Sequence, residues 1–103
     1  MEFTWHELKA RKNIRKHGVP FTVAEAVFAD PFAVTTFDRV VGHEERWRTI
    51  GCIVQGRSFK LIVVIHTYPA GDDVDCIHIV SIWEASNHER RDYETQVLRQ
   101  YRP

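Results

Sequence analysis

The run Phe59-Lys60-Leu61-Ile62-Val63-Val64-Ile65-His66 is almost continuously apolar and β-branched. A strand that shows no alternation with polar residues is expected to lie at the centre of a sheet, covered on both faces. Working outward, Gln55-Gly56-Arg57-Ser58 precedes it and Tyr68-Pro69-Ala70-Gly71-Asp72 follows it. Both are turn sequences, so strands over Arg46–Gln55 and Val74–Trp83 should join it as antiparallel hairpins. Ala33–Asp38 reads as an edge strand, and Glu2–Thr4 as a short N-terminal one.

Helices flank this block. Thr4-x-x-Glu7, Thr22-x-x-Glu25 and Ser86-x-x-Glu89 each fit a capping box, in which hydroxyl and carboxylate satisfy orphan amides reciprocally. The first predicted helix runs from Trp5 to about His17, with Phe3 and Leu8 as a hydrophobic staple and Gly18 ending it ahead of Pro20. The second covers Val23–Ala29 and stops at Asp30-Pro31, with Glu25 wedged toward the core. The third runs from Asn87 to about Tyr101. The expected order is (β)ααββββα, an α+β fold with two N-terminal helices and one C-terminal helix on a small antiparallel sheet.

Composition narrows the function classes. The chain has 103 residues, 44% of them hydrophobic and 27% charged, which is the profile of one folded domain. Its apolar runs are too short to span a bilayer, and Met1–His6 lacks a signal-peptide pattern. Cys52 and Cys76 each sit in an apolar stretch, suiting reduced, buried thiols in a cytoplasmic protein. These features argue against a secreted toxin, a membrane protein or a disordered chain. The six histidines and two cysteines show no metal-ligand spacing, and no glycine-rich phosphate loop or nucleophile elbow is present. No metal and no cofactor is therefore expected.

Charge is neutral overall but segregated. Residues 1–20 carry five basic against two acidic side chains, and 46–67 carry four basic and none acidic. The segments 21–45 and 68–84 are acidic. Folding could gather the basic segments into a phosphate-binding surface, although alternating charge is also common in proteins that bind nothing. Trp5, Lys9, Lys12 and Lys16 fall on one helical stripe, either a phosphate-facing strip with a stacking indole or a solvated lysine face with Trp5 in the core. Arg46 and Arg48 leave one face of a strand, with Arg57 in the next turn. His66 ends the central strand, where it marks a site or is simply structural. On the third helix Arg90 and Glu94 share the stripe of Tyr93, Val97 and Tyr101, as an internal ion pair or as an arginine aimed at a phosphate.

Blocks across nearly the whole chain resemble the BrnT toxins. They are Phe3-x-Trp5-x-Glu7-x-Lys9-x-x-x-Asn13-x-x-Lys16-His17-Gly18-Val19-x-Phe21, Val27-Phe28-Ala29-Asp30-Pro31, Glu45-Arg46-Trp47-x-x-Ile50-Gly51 and Ile79-Val80-Ser81-x-x-x-Ala85-Ser86-x-x-Glu89-Arg90-Arg91-x-Tyr93-Glu94. The resemblance implies a RelE-like ribonuclease fold and the toxin half of a type II toxin–antitoxin pair. It implies metal-independent RNA cleavage that inhibits translation, on free or ribosome-associated RNA. It implies a BrnA-type antitoxin partner that alone contacts DNA, and a homodimer or a heterotetramer with that antitoxin. Carried over by position, Lys9, His17, Arg48, Glu89 and Arg90 are the catalytic candidates, with His66 added from its place in the strand. Trp5, Lys12, Lys16, Arg46, Arg57, Trp83 and His88 are the RNA-binding candidates.

One departure bears on activity. The family pattern Ser-x-Arg-x-Ala-Ser/Thr has Trp83 in place of its arginine here, and Asn87 and then His88 follow the cap where a basic residue is usual. Losing a charged hydrogen bond at a phosphate costs about 1.5–3 kcal/mol, or about one to two orders of magnitude in rate. Trp83 would offer an aromatic face instead. A non-catalytic partner-binding module and a binder of structured RNA or ribosomes are the alternatives.

Overall fold

The computed structural model describes residues 1–71 and 73–100. In chain order the elements are β1 (Glu2–Trp5), α1 (Glu7–His17), a 3₁₀ turn (Phe21–Val23), α2 (Ala24–Ala29), β2 (Val34–Val41), β3 (Glu44–Gln55), β4 (Ser58–Thr67), β5 (Cys76–Glu84) and α3 (Asn87–Gln100). The fold is α+β, and one five-stranded sheet has the order β1-β5-β4-β3-β2. The four later strands pair antiparallel as expected. The sheet as a whole is mixed, because β1 lies parallel to β5. That pairing corrects the expectation of a wholly antiparallel sheet. The α1-to-β4 segment separates β1 from β5 in the chain, so a parallel approach is geometrically open to it.

β4 is central, and Leu61 through Thr67 are all buried. One face of the sheet carries the larger core, where Ile53, Ile62, Val64, Ile77, Ile79 and Ile82 meet Ala10, Phe21, Ala24 and Val27. The other carries Ile50, Val63 and Ile65, against which Val80, Trp83, Ala85 and Tyr93 pack. Two bulges shape this second face. One skips Asp38 in the β2–β3 register and the other skips Val80 in the β4–β5 register.

Local signals fared unevenly. The Ser86 box forms, with Ser86 N donating to Glu89 Oε1 at 2.9 Å and Glu89 N donating to Ser86 Oγ at 3.2 Å. Gly18 ends α1 at φ 73°, its N–H on the Ile14 carbonyl. The Thr4 box does not form. Trp5 belongs to β1, His6 precedes the helix, and Thr4 Oγ1 bonds His78 Nδ1 at 2.8 Å across the parallel pair. Leu8 is 61% exposed, so no staple holds that end. Thr22 falls inside the 3₁₀ turn and Glu25 is exposed rather than wedged in the core. Both thiols are free, yet only half-buried. The predicted ends at Asp72 and Tyr101 lie outside the described residues.

Candidate functional site

Alternation along β3 sends Arg46 and Arg48 to the face covered by α3, while Trp47 and Thr49 point to the other. Beside the first turn of α3 that face holds a cavity of about 400 Å³. Arg46, Arg48, Trp83 and Glu89 line it together with Asp38, Arg39, Val80 and Ser81. Both bulged residues, Asp38 and Val80, are in the lining, and bulges commonly re-aim side chains beside sites. Four of the thirteen sequence candidates therefore meet in one place.

Within it the cations are differently engaged. Arg48 Nη2 donates to Asp92 Oδ2 at 3.3 Å, and His88 Nε2 lies 3.8 Å from the same oxygen. Arg46 Nε is buried and has no hydrogen-bond partner. A buried guanidinium N–H left open is costly unless something that binds there accepts it. Arg39 is spent on Asp38 at 3.0 Å.

Trp83 is the hub of the opposite wall. Its Nε1–H donates to both Glu89 oxygens at 3.1 and 3.2 Å, and the His17 ring lies 5.6 Å from its own, tilted by 42°. Glu89 thus serves the capping box and the indole at once. His17, the last residue of α1, is exposed and brought to this wall because Asn13 docks the helix on β5. Asn13 is 7% exposed. Its amide donates to the carbonyls of Ile82 and Val19, and its oxygen accepts from Ile82 N and Ser81 Oγ. Beyond the reach of β1, this side chain stands in for a strand.

Other candidates lie elsewhere. His66 is fully buried on the α1–α2 side, with Nε2 2.7 Å from Thr49 Oγ1 and its ring edge-on to Phe28 and Tyr68. Desolvation pulls its pKa down to about 4, so it is a neutral core imidazole rather than a site at the strand end. Trp5 packs edge-on against Phe21, 6.1 Å between centroids, which is the core reading of that indole. Lys9, Lys12 and Lys16 are exposed along α1. Arg57 lies in the β3–β4 turn, nine β3 residues past Arg46 and so roughly 30 Å away, which separates it from the paired arginines. Arg90 and Glu94 are exposed and do not face the core, while Tyr93 and Val97 are half-buried. Arg90 sits toward Cys52, whose thiol feels its charge.

The sequence reading missed Asp92 and Asn13 as partners. Nothing in sequence links Asp92 to Arg48, whereas the i, i+3 spacing of Asn13 from Ala10, which puts both on one side of α1, was a usable signal for Asn13.

The chemistry open to this arrangement is limited by its donors. Burial raises the Cys52 pKa and the hydrogen bond to Asp73 raises that of Cys76, so neither thiol is primed as a nucleophile. Among the described residues no group of three or more His, Cys, Asp or Glu side chains could hold a metal ion. No described helix is long and apolar enough to cross a membrane. What the cavity does offer is guanidinium charge facing an indole and a carboxylate, with the His17 ring against that indole, a set suited to a phosphodiester beside a base. No curated protein matches the sequence. A family model described as "Ribonuclease toxin, BrnT, of type II toxin-antitoxin system" matches residues 5–89, from Trp5 on β1 to Glu89 on the cavity wall. The chain belongs to the BrnT family of ribonuclease toxins of type II toxin–antitoxin systems.

Proposed function

We propose that the chain is a metal-independent, RelE-like endoribonuclease that cuts RNA at the Arg46–Arg48–Trp83–Glu89 cavity. The observation that carries this reading is the buried, unpartnered Nε of Arg46 in a cavity that also holds Arg48. In the reaction a ribose 2′-hydroxyl attacks the adjacent phosphorus, its proton passes to a base, and the 5′-oxygen leaves with a proton from an acid. The products are a 2′,3′-cyclic phosphate and a 5′-hydroxyl. Arg46 and Arg48 balance the charge of the phosphorane. His17 and Glu89 are assigned the proton transfers, a reading supported by the contact each makes with Trp83. Lys9, Lys12 and Lys16 extend a cationic path along α1 for the flanking backbone. Cleavage of cytoplasmic messages then slows translation, and a BrnA-type antitoxin restrains it.

Purified protein with RNA in excess EDTA tests this. Cleavage should persist, and Arg46→Ala and Arg48→Ala should each lower its rate by about 10- to 100-fold without loss of fold. Cleavage abolished by EDTA, or indifferent to both substitutions, rejects the mechanism.

A second reading rests on a specific contact. Trp83 occupies both oxygens of Glu89 and lies against His17, so the proton-transfer groups are tied to the residue that replaces the family arginine. On this reading the chain is a weakened or inactive member that retains the partner surface. Trp83→Arg distinguishes the two, since a gain in cleavage of about tenfold or more identifies the indole as the restraint.

A further inference from the structure

On the opposite side of the same sheet end, a second pocket of about 650 Å³ has the reverse character. Trp47 and Tyr68 form its aromatic wall, with ring centroids 5.8 Å apart at 57°. Glu44 and Glu45, from the start of β3, stand at its rim. Both are exposed, and neither forms an ion pair among the described residues. Thr67 also lines the pocket, is 2% exposed, and its buried Oγ1 has no hydrogen-bond partner.

We propose that this pocket receives an arginine side chain of a protein partner, the guanidinium lying on Trp47 and Tyr68 and donating to Glu45 and Thr67. A guanidinium is the ligand that answers all three features. Its flat face stacks on aromatic rings, its charge suits the two glutamates, and its N–H groups supply the donor that a buried hydroxyl lacks. A lysine ammonium matches the charge but stacks poorly and holds its water more tightly. RNA is disfavoured, because its phosphates would meet Glu44 and Glu45 at the entrance. The two faces of this sheet end thus divide the work, one cationic and one anionic. The proposal does not rest on RNA cleavage, and either can fail alone.

The test is an NMR titration of the ¹⁵N-labelled full chain with N-acetyl-arginine amide, and with the lysine and glutamine amides beside it. The arginine probe should shift the Trp47 indole N–H and the Thr67 amide saturably. The lysine probe should need about tenfold more for the same shift, and the glutamine probe should not saturate. Glu45→Gln and Thr67→Val should each weaken the arginine response by about threefold or more while the remaining spectrum is retained. Equal responses to arginine and glutamine, or undiminished binding in both variants, would overturn the proposal. So would a short oligouridylate that moves these same resonances, which would give the pocket to RNA.

Discussion

A fully buried histidine writes its environment into the pH dependence of stability. His66 hydrogen-bonds Thr49, which in turn meets Thr35 Oγ1 at 2.7 Å, while His66 Nδ1 has no partner. Its pKa is about 4 in the folded chain against 6.5 when solvated, so between those values the unfolded state binds the extra proton. The stabilisation from keeping the ring neutral is complete above pH 6.5 and is lost as pH falls toward 4, a difference on the order of 3 kcal/mol. Urea midpoints should therefore be flat from pH 7 to 8 and fall steeply below 6.5. His66→Leu should remove that extra acid sensitivity, and parallel profiles for the two proteins would show that the ring is not held neutral. The terminal position that made His66 look like a site in sequence is equally the position of a core residue. Only the register, which sets it opposite Trp47 and beneath Phe28, separates the two.

Between elements, two contacts carry the docking of the helices. Asn13 joins α1 to β5 through Ile82 and Ser81, and Asn13→Leu strands the buried Ile82 N–H and carbonyl and the partly buried Val19 carbonyl. A loss of about 2–4 kcal/mol is expected, read by chemical denaturation. On the same sheet face α2 rests directly on Gly51, where an added Cβ would lie 2.5 Å from the Val27 carbonyl oxygen and 2.9 Å from Val27 Cγ1. Gly51→Ala should therefore cost about 1–3 kcal/mol by pushing α2 off the strand, with a lower thermal midpoint as the readout. These contacts explain why the elements were more legible than their edges. The apolar run through Ile62–Ile65 and the hairpin turns announce the strands, and Ser86 with Glu89 announces α3, because each signal is local. Thr4 and Glu7 present the same capping pattern, but β1 pairs with β5 and takes the threonine for His78, a competition settled 74 residues away. Glu25 and Leu8 were misplaced for a related reason, since which side of a short helix is covered depends on where the sheet lies.

For the molecule as a whole, zero net charge coexists with two opposed surfaces at one end of the sheet. Alternation made half of this legible, because Arg46 and Arg48 must share a face. The wall opposite them was not, since Trp83, Glu89 and His17 meet only after a bulge at Val80 resets β5 and Asn13 fixes α1. If the cationic face is where RNA lies, its affinity must carry the signature of counterion release. Each phosphate neutralised contributes about −0.7 to the slope of log affinity against log salt for single strands. Arg46→Gln should then reduce the steepness by about 0.7 while weakening binding across sequences alike. Glu45→Gln, on the far face, should leave the slope unchanged. Filter-binding of a short non-cleavable oligonucleotide between 50 and 300 mM salt makes the comparison. A slope that Arg46→Gln leaves intact would move the phosphate path off the cavity and onto the lysines of α1. Triple replacement of Lys9, Lys12 and Lys16 by Gln should then flatten the slope instead, and Arg46, half-buried with its Nε enclosed, would have a structural role alone.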